Sequence, residues 1–346
     1  MLGLFRLFGW CLGVCVVTSF TVIEFAQADY TNVGQFIQIR ADRELWARYV
    51  PAKFEKPTLV ISNGLTYDTE NWNAFTAELD SLIREGFGVL RTDMMGQGQT
   101  LLKYAPAFYE IPIADQVQDL SDLVGALKVK GPLVLLGLSY GGGLSLAYAA
   151  TFPNQVSQLI LMAPYTEPVR ELDAWIKTQI RITRTAFPLN PASDEQLYEF
   201  FLRQLVTLTF PSAEPSILSN PFKLEAVYRL SNGIRKFNAF DIMNRLPASN
   251  RNGFIHLMTG TLDTTVPTAT SNDFWREVPQ ALRGSRIDFS DTQHKLPEEI
   301  PALAAKWVSL ILHNDPRVSG GREFQGLRDQ KKAISRDHSV VVELGK

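Results

Sequence analysis

Gly137-Leu138-Ser139-Tyr140-Gly141, continued by Gly142-Gly143, decides how the rest of this chain is read. It follows an apolar run over residues 133–138, bounded upstream by Gly131-Pro132, and opens an Ala-rich segment reaching to about Thr151. A buried strand that turns at once into a helix needs small residues on both sides of the turn, because a Cβ there would strike the returning backbone. A serine at such a turn presents its hydroxyl to solvent. The helix N-terminus behind it points backbone N–H groups at any oxyanion that forms there. The stretch predicts a nucleophilic Ser139 on a strand–turn–helix; a Gly-rich turn without chemistry is the alternative reading.

Outward from this turn, the chain alternates strand-like and helix-like segments. Residues 35–40 and 44–50 alternate in hydrophobicity around Ala41-Asp42, which predicts an N-terminal hairpin. Short apolar runs at 58–62, 89–92, 133–138, 159–162, 254–258 and 287–289 predict buried strands. Helical spacing separates them, over 72–83 (closed by Gly86), 113–127 and about 301–313. Strands apolar throughout, with helices between them, argue for a parallel sheet covered on both faces. Between Pro164 and about Leu246 the rhythm changes to amphipathic helices, including 172–185 and 195–208. We read 165–246 as a helical lid inserted between a first core part (29–164) and a second (247–313). Residues 314–346 are polar with little periodicity and are expected to form a flexible tail, with 339–344 able to pair as a strand.

The 346 residues are 45% hydrophobic and 20% charged, an ordinary globular composition, and 34 Lys+Arg against 36 Asp+Glu leave a formal charge of −2. No basic run stands out, which excludes nucleic acid as an expected partner. Arg6, the apolar run 7–23 and Ala26-Gln27-Ala28 read as a signal peptide over 1–28, giving a secreted or periplasmic protein. The alternative is a membrane anchor over 7–23, which is about the minimum length for a span. Cys11 and Cys15, the chain's 2 cysteines, fall in that leader, so the mature chain is expected to have neither disulfide nor thiol nucleophile. No His-Glu-x-x-His helix or P-loop occurs, so neither a metal nor a cofactor is expected.

At this point the chain resembles the α/β-hydrolase family, in its lid-containing serine hydrolase (esterase- and lipase-like) branch, over roughly residues 33–313. The resemblance implies a mostly parallel eight-stranded sheet with helices on both faces, and a triad in the order Ser, acid, His. Gly260-Thr261-Leu262-Asp263, before Val266-Pro267, resembles the acid loop; Gln293-His294-Lys295 resembles the histidine loop. Of the 4 histidines, His256 sits inside an apolar strand, His313 ends a helix and His338 lies in the tail, which leaves His294 as the base. Asp263 is the expected acid, with Glu167 as the alternative because some family members draw their acid from that neighbourhood. Asn63-Gly64-Leu65 resembles the loop that donates an oxyanion N–H, implying Leu65 and Tyr140 as backbone donors. Trp72 reads as packing beside that loop, and Asp93, in Asp93-Met94-Met95-Gly96-Gln97-Gly98, as a turn cap.

The resemblance implies hydrolysis of small carboxylic esters through an acyl-enzyme. Of the lid's Trp175, Ile176, Ile180, Phe187, Tyr198, Phe200, Phe201, Leu205, Leu208 and Phe210, most are expected to pack and the rest to line an apolar acyl pocket. An acyltransferase with the same triad, or a binding protein that keeps the fold without turnover, are the competing classes. Lipid or membrane contact through the N-terminal segment or the lid is a further expectation; the sequence sets no oligomeric state.

Overall fold

The computed structural model describes residues 33–105, 110–168, 170–213, 217, 220, 222–246 and 253–345. The proposed signal peptide 1–28 and span 7–23 lie outside the described residues. The strands are β1 (Gln35–Arg40), β2 (Arg43–Val50), β3 (Thr58–Ser62), β4 (Gly88–Asp93), β5 (Leu133–Leu138), β6 (Val156–Met162), β7 (Ile255–Gly260), β8 (Arg283–Phe289), β9 (Arg322–Leu327), β10 (Lys332–Ser335) and β11 (Val341–Glu343). The helices are α1 (Asn73–Ala77), α2 (Asp80–Arg84), α3 (Gly98–Lys103), α4 (Ile113–Ala126), α5 (Tyr140–Thr151), α6 (Arg170–Ala186), α7 (Asp194–Ala213), α8 (Lys223–Ile234), α9 (Thr268–Glu277), α10 (Leu296–Glu299) and α11 (Pro301–Leu312). The single helix expected over 72–83 is two, because the turn at Leu79 leaves helical geometry while Phe75, Leu79 and Leu82 all stay buried.

Every residue of β3, β4, β5 and β7 is buried, as strands covered on both faces must be. One apolar layer joins Leu120 and Leu123 of α4, Leu144 and Tyr148 of α5, and Phe274 of α9 to the sheet. The opposite layer brings Phe75, Trp307, Val308 and Ile311 against the other face. The sheet order is β1-β2-β4-β3-β5-β6-β7-β8-β9-β10-β11. The strands from β4 to β9 in that order are parallel to one another. The β1–β2 hairpin joins antiparallel at one edge, and β10 and β11 at the other. Helices α6 to α8 insert between β6 and β7 and hold a small core of their own around Ile176, Leu202, Val206 and Val227.

Two expectations are corrected here. Among the described residues the sheet has 11 strands rather than eight, and 314–345 is not a flexible tail. β9 pairs in parallel with β8, and β10 and β11 follow as a meander. Phe324, Ala333, Val342 and Leu344 are buried in the layer that holds Trp307. Each of these short strands buries only one or two residues, too few to form a run of apolar residues although its inner face is core. Phe324 stacks edge-on against Trp307 at 5.0 Å between centroids.

His256 is a core residue, as expected. Its Nδ1 accepts the Ser285 backbone N–H at 3.1 Å, and Gly284 packs against the ring. Burial holds the imidazole neutral, pushing it down from 6.5 to about 3.

Two measurements check this account. Phe324→Ala should cost about 3–5 kcal/mol in urea unfolding, the range for deleting a buried aromatic ring; a change near zero would restore the flexible tail. Because folded His256 binds its proton less tightly than the unfolded chain, stability should fall as pH drops below 6.5. The loss should reach about 3 kcal/mol by pH 4, and His256→Gln should lack that part of the acid slope.

Candidate active site

The β5–α5 turn holds Ser139 at φ 53°, ψ −117°, a strained conformation for a residue with a side chain. Tight backbone packing imposes it. A Cβ on Gly137 would lie 2.1 Å from the Gly141 carbonyl oxygen, and one on Gly141 would lie 2.2 Å from that of Ser62. Hydrogen bonds fix the turn on both sides: Ser139 N–H donates to Met162 O at 2.9 Å, and Tyr165 N–H donates to Ser139 O at 2.8 Å. Tyr140, the first residue of α5, has an N–H with no carbonyl one turn behind it to accept it.

Asp263 lies in the β7–α9 loop with its side chain fully buried. Its Oδ1 accepts the Thr265 and Val266 N–H groups, each at 2.8 Å. Its Oδ2 faces His294 Nδ1 at 2.7 Å. A carboxylate oxygen can only accept, so Nδ1 is the donor in this bond and Nε2 points away from Asp263. Glu167, the alternative acid, accepts instead from Arg170 Nη2 at 2.8 Å. The carboxylate bonded to His294 is Asp263. Since β5, β7 and β8 run parallel, Ser139, Asp263 and His294 all follow strands at the same edge of the sheet.

Leu65, Ser139 and Tyr140 share a cavity of about 260 Å³ with Thr265 and Val266 of the acid loop. Leu172, Leu202, Leu205, Val206 and Phe210 of the inserted helices close it with apolar walls. Of the expected pocket residues, Tyr198, Leu205 and Phe210 line this cavity, Ile176 and Ile180 are buried, and Trp175, Phe187, Phe200 and Leu208 are exposed.

The Leu65 loop is braced by buried polar side chains. Gln97 Nε2 donates to Gly64 O at 3.0 Å, Asn63 Nδ2 to Thr92 O at 2.9 Å, and Trp72 Nε1 to Asn63 Oδ1 at 2.9 Å. Asp93 caps the turn as expected, accepting Thr69 N–H at 2.7 Å and Gln99 N–H at 2.9 Å. Burial raises its carboxyl to about 6.

Sequence reasoning missed two residues that hold the histidine loop. Glu299 accepts the N–H groups on either side of His294, from Gln293 at 2.8 Å and Lys295 at 3.0 Å. Arg328, beyond β9, donates to Asp291 O at 3.1 Å and Glu299 O at 3.3 Å. No motif marks either one; Glu299 closes the short helix α10, six residues after Gln293, and that spacing is the one local signal that could have found it.

The sheet, the inserted helices and the strand-end site define an α/β-type hydrolase. The chain belongs to the family described as serine aminopeptidase, S33, whose model matches residues 55–301. An uncharacterized protein of Mycobacterium tuberculosis is 27% identical over 107 residues, covering 31% of this chain and 29% of that protein. The match therefore spans less than a third of that relative. A Bacillus subtilis protein named "Putative 2-succinyl-6-hydroxy-2,4-cyclohexadiene-1-carboxylate synthase" is 26% identical over 266 residues, covering 73% of this chain and 89% of its own length. A thermophilic esterase from Thermogutta terrifontis has the same fold, with a TM-score of 0.56 at 19% identity over 81% of this chain and 98% of its own.

Glu299→Ala removes the acceptor of two N–H groups flanking His294. Amide exchange at Gln293 and Lys295 should speed up at least tenfold while the remaining strands keep their protection. Unchanged exchange would mean that Glu299 does not hold this loop.

Proposed function

We propose that the chain hydrolyses carboxylic esters of apolar acyl groups through an acyl-enzyme on Ser139. The observation that carries this reading is the Asp263–His294 bond of 2.7 Å, on a loop whose next residues wall the cavity into which Ser139 opens. Ser139 Oγ attacks the ester carbonyl while His294 Nε2 takes its proton, and Asp263 keeps the imidazole oriented and stabilises it as it becomes charged. The Leu65 and Tyr140 N–H groups face the developing oxyanion, where one such donor is typically worth 10²–10³ in rate. His294 then protonates the departing alcohol and activates the water that releases the acid. The apolar walls from α7, including Leu202, Leu205 and Val206, supply the room for the acyl chain.

The same inserted helices, with the loop after α6, leave Phe187, Leu189 and Leu208 largely exposed. This favours a lid that meets lipid-presented esters, although among the described residues no helix is long and apolar enough to cross a membrane.

The test is hydrolysis of chromogenic esters of increasing acyl length, as monomers and in micelles, by the wild-type chain and by Ser139→Ala. Turnover should fall by at least 10³-fold in Ser139→Ala, prefer an acyl chain over acetate, and rise in micelles. Wild-type activity that survives in Ser139→Ala, or a folded wild type inert on every ester, would overturn the assignment. Ester turnover that appears only with an alcohol acceptor would move it to acyl transfer.

A further inference from the structure

Gly64 and Leu65 share one peptide unit, and ester hydrolysis at Ser139 uses one side of it. A planar trans peptide points its C=O and N–H in opposite directions, so whatever holds the Gly64 oxygen also aims the Leu65 N–H. Two donors hold that oxygen: Tyr67 N–H at 3.1 Å, which closes a turn, and Gln97 Nε2 at 3.0 Å. Among the described residues the Leu65 N–H donates to no acceptor, and Leu65 lines the cavity it shares with Ser139.

The orientation of the Gln97 amide is itself dictated. Trp72 Nε1 can only donate, so the Asn63 atom it meets at 2.9 Å is the oxygen Oδ1. Asn63 Nδ2 is thereby turned toward Thr92 O at 2.9 Å and Gln97 Oε1 at 3.3 Å. With its oxygen facing Asn63, Gln97 presents its nitrogen to Gly64 O. Asn63, Trp72 and Gln97 are all buried, so water does not compete for these bonds and each polarises the next. Gln97 does not line the cavity, so it acts through the peptide and not on substrate.

We propose, resting on the ester reading above, that Gln97 is a positioning residue for the hydrolytic reaction. Its amide sets the plane of the Gly64–Leu65 peptide and so aims the Leu65 N–H at the developing oxyanion. Because that oxyanion forms only on the way over the barrier, losing this aim lowers kcat and spares KM.

The test compares wild type, Gln97→Met and Gln97→Glu on the chromogenic ester that wild type turns over fastest, with thermal melts to establish folding. Gln97→Met keeps length and burial without the donor. Its kcat should fall at least about tenfold, with KM within about threefold of wild type. An alkyl trifluoromethyl ketone, to which Ser139 adds to form a hemiketal oxyanion on the same donors, should bind it at least about tenfold more weakly. Gln97→Glu adds a pH signature, because a buried carboxyl titrates above its usual range. Protonated, it donates to Gly64 O as the amide does; ionised, it repels that oxygen. Asp93, which also meets Asn63 Nδ2, and His294 titrate in both chains. The measured quantity is therefore the ratio of variant to wild-type kcat, which should fall as pH rises. The proposal is overturned if Gln97→Met folds and keeps wild-type kcat and ketone affinity, or if its loss appears in KM alone. Should that variant not fold, a Gln97→Glu ratio that is flat with pH overturns it. Wild type without Ser139-dependent ester turnover would overturn the ester reading, and this inference with it.

Discussion

The close passage of backbone against backbone at Ser139 is the constraint on which the rest of this molecule depends. Gly137, Gly141 and the carbonyl of Ser62 meet at distances that leave no room for a Cβ, so β3, β5 and the start of α5 lock into one geometry. That geometry forces a left-handed backbone on a serine and bares its hydroxyl. The strain persists because bonds from Ser139 to Met162 and from Tyr165 to Ser139 anchor the turn to β6 and the segment after it. Local rigidity there fixes where the Ser139 hydroxyl sits.

The parallel order of the sheet extends that placement to the other site residues. Because β5, β6, β7 and β8 are neighbours, each loop after a strand emerges at one edge, and Asp263 and His294 meet although they are 31 positions apart. Asp263 divides its two oxygens between its own turn and the histidine loop. One closes the turn at Thr265 and Val266, and the other orients His294. The histidine loop is steadied in turn by Glu299 and by Arg328, so the added strands at the C-terminal edge contribute to the site as well as to the core.

Strands β9 and β10 escaped a sequence reading for a physical reason, whereas pairing over 339–344 was expected and β11 supplies it. β9 to β11 are short, and their buried face amounts to Phe324, Gly326, Ala333, Ser335 and Val342, too sparse for a hydropathy window to register. Their stability comes from docking on Trp307 and from pairing with β8, both long-range events. Glu299 and Arg328 likewise act through backbone groups, which carry no residue-type signature.

What the sequence determined by itself is local and periodic. Continuous apolar runs implied strands covered on both faces, and the Gly-x-Ser-x-Gly turn implied an exposed nucleophile. Four histidines left His294 by elimination, and the order of motifs along the chain matched a known catalytic order. These signals are legible because steric limits on a turn, and the two-residue period of a strand, act on neighbours in the chain. The tertiary structure alone decided which carboxylate reaches His294, which of the inserted apolar side chains face the cavity and which face solvent, and where the sheet ends. Those outcomes depend on distances between segments far apart in sequence, set by packing and register, and neither composition nor periodicity encodes them one segment at a time.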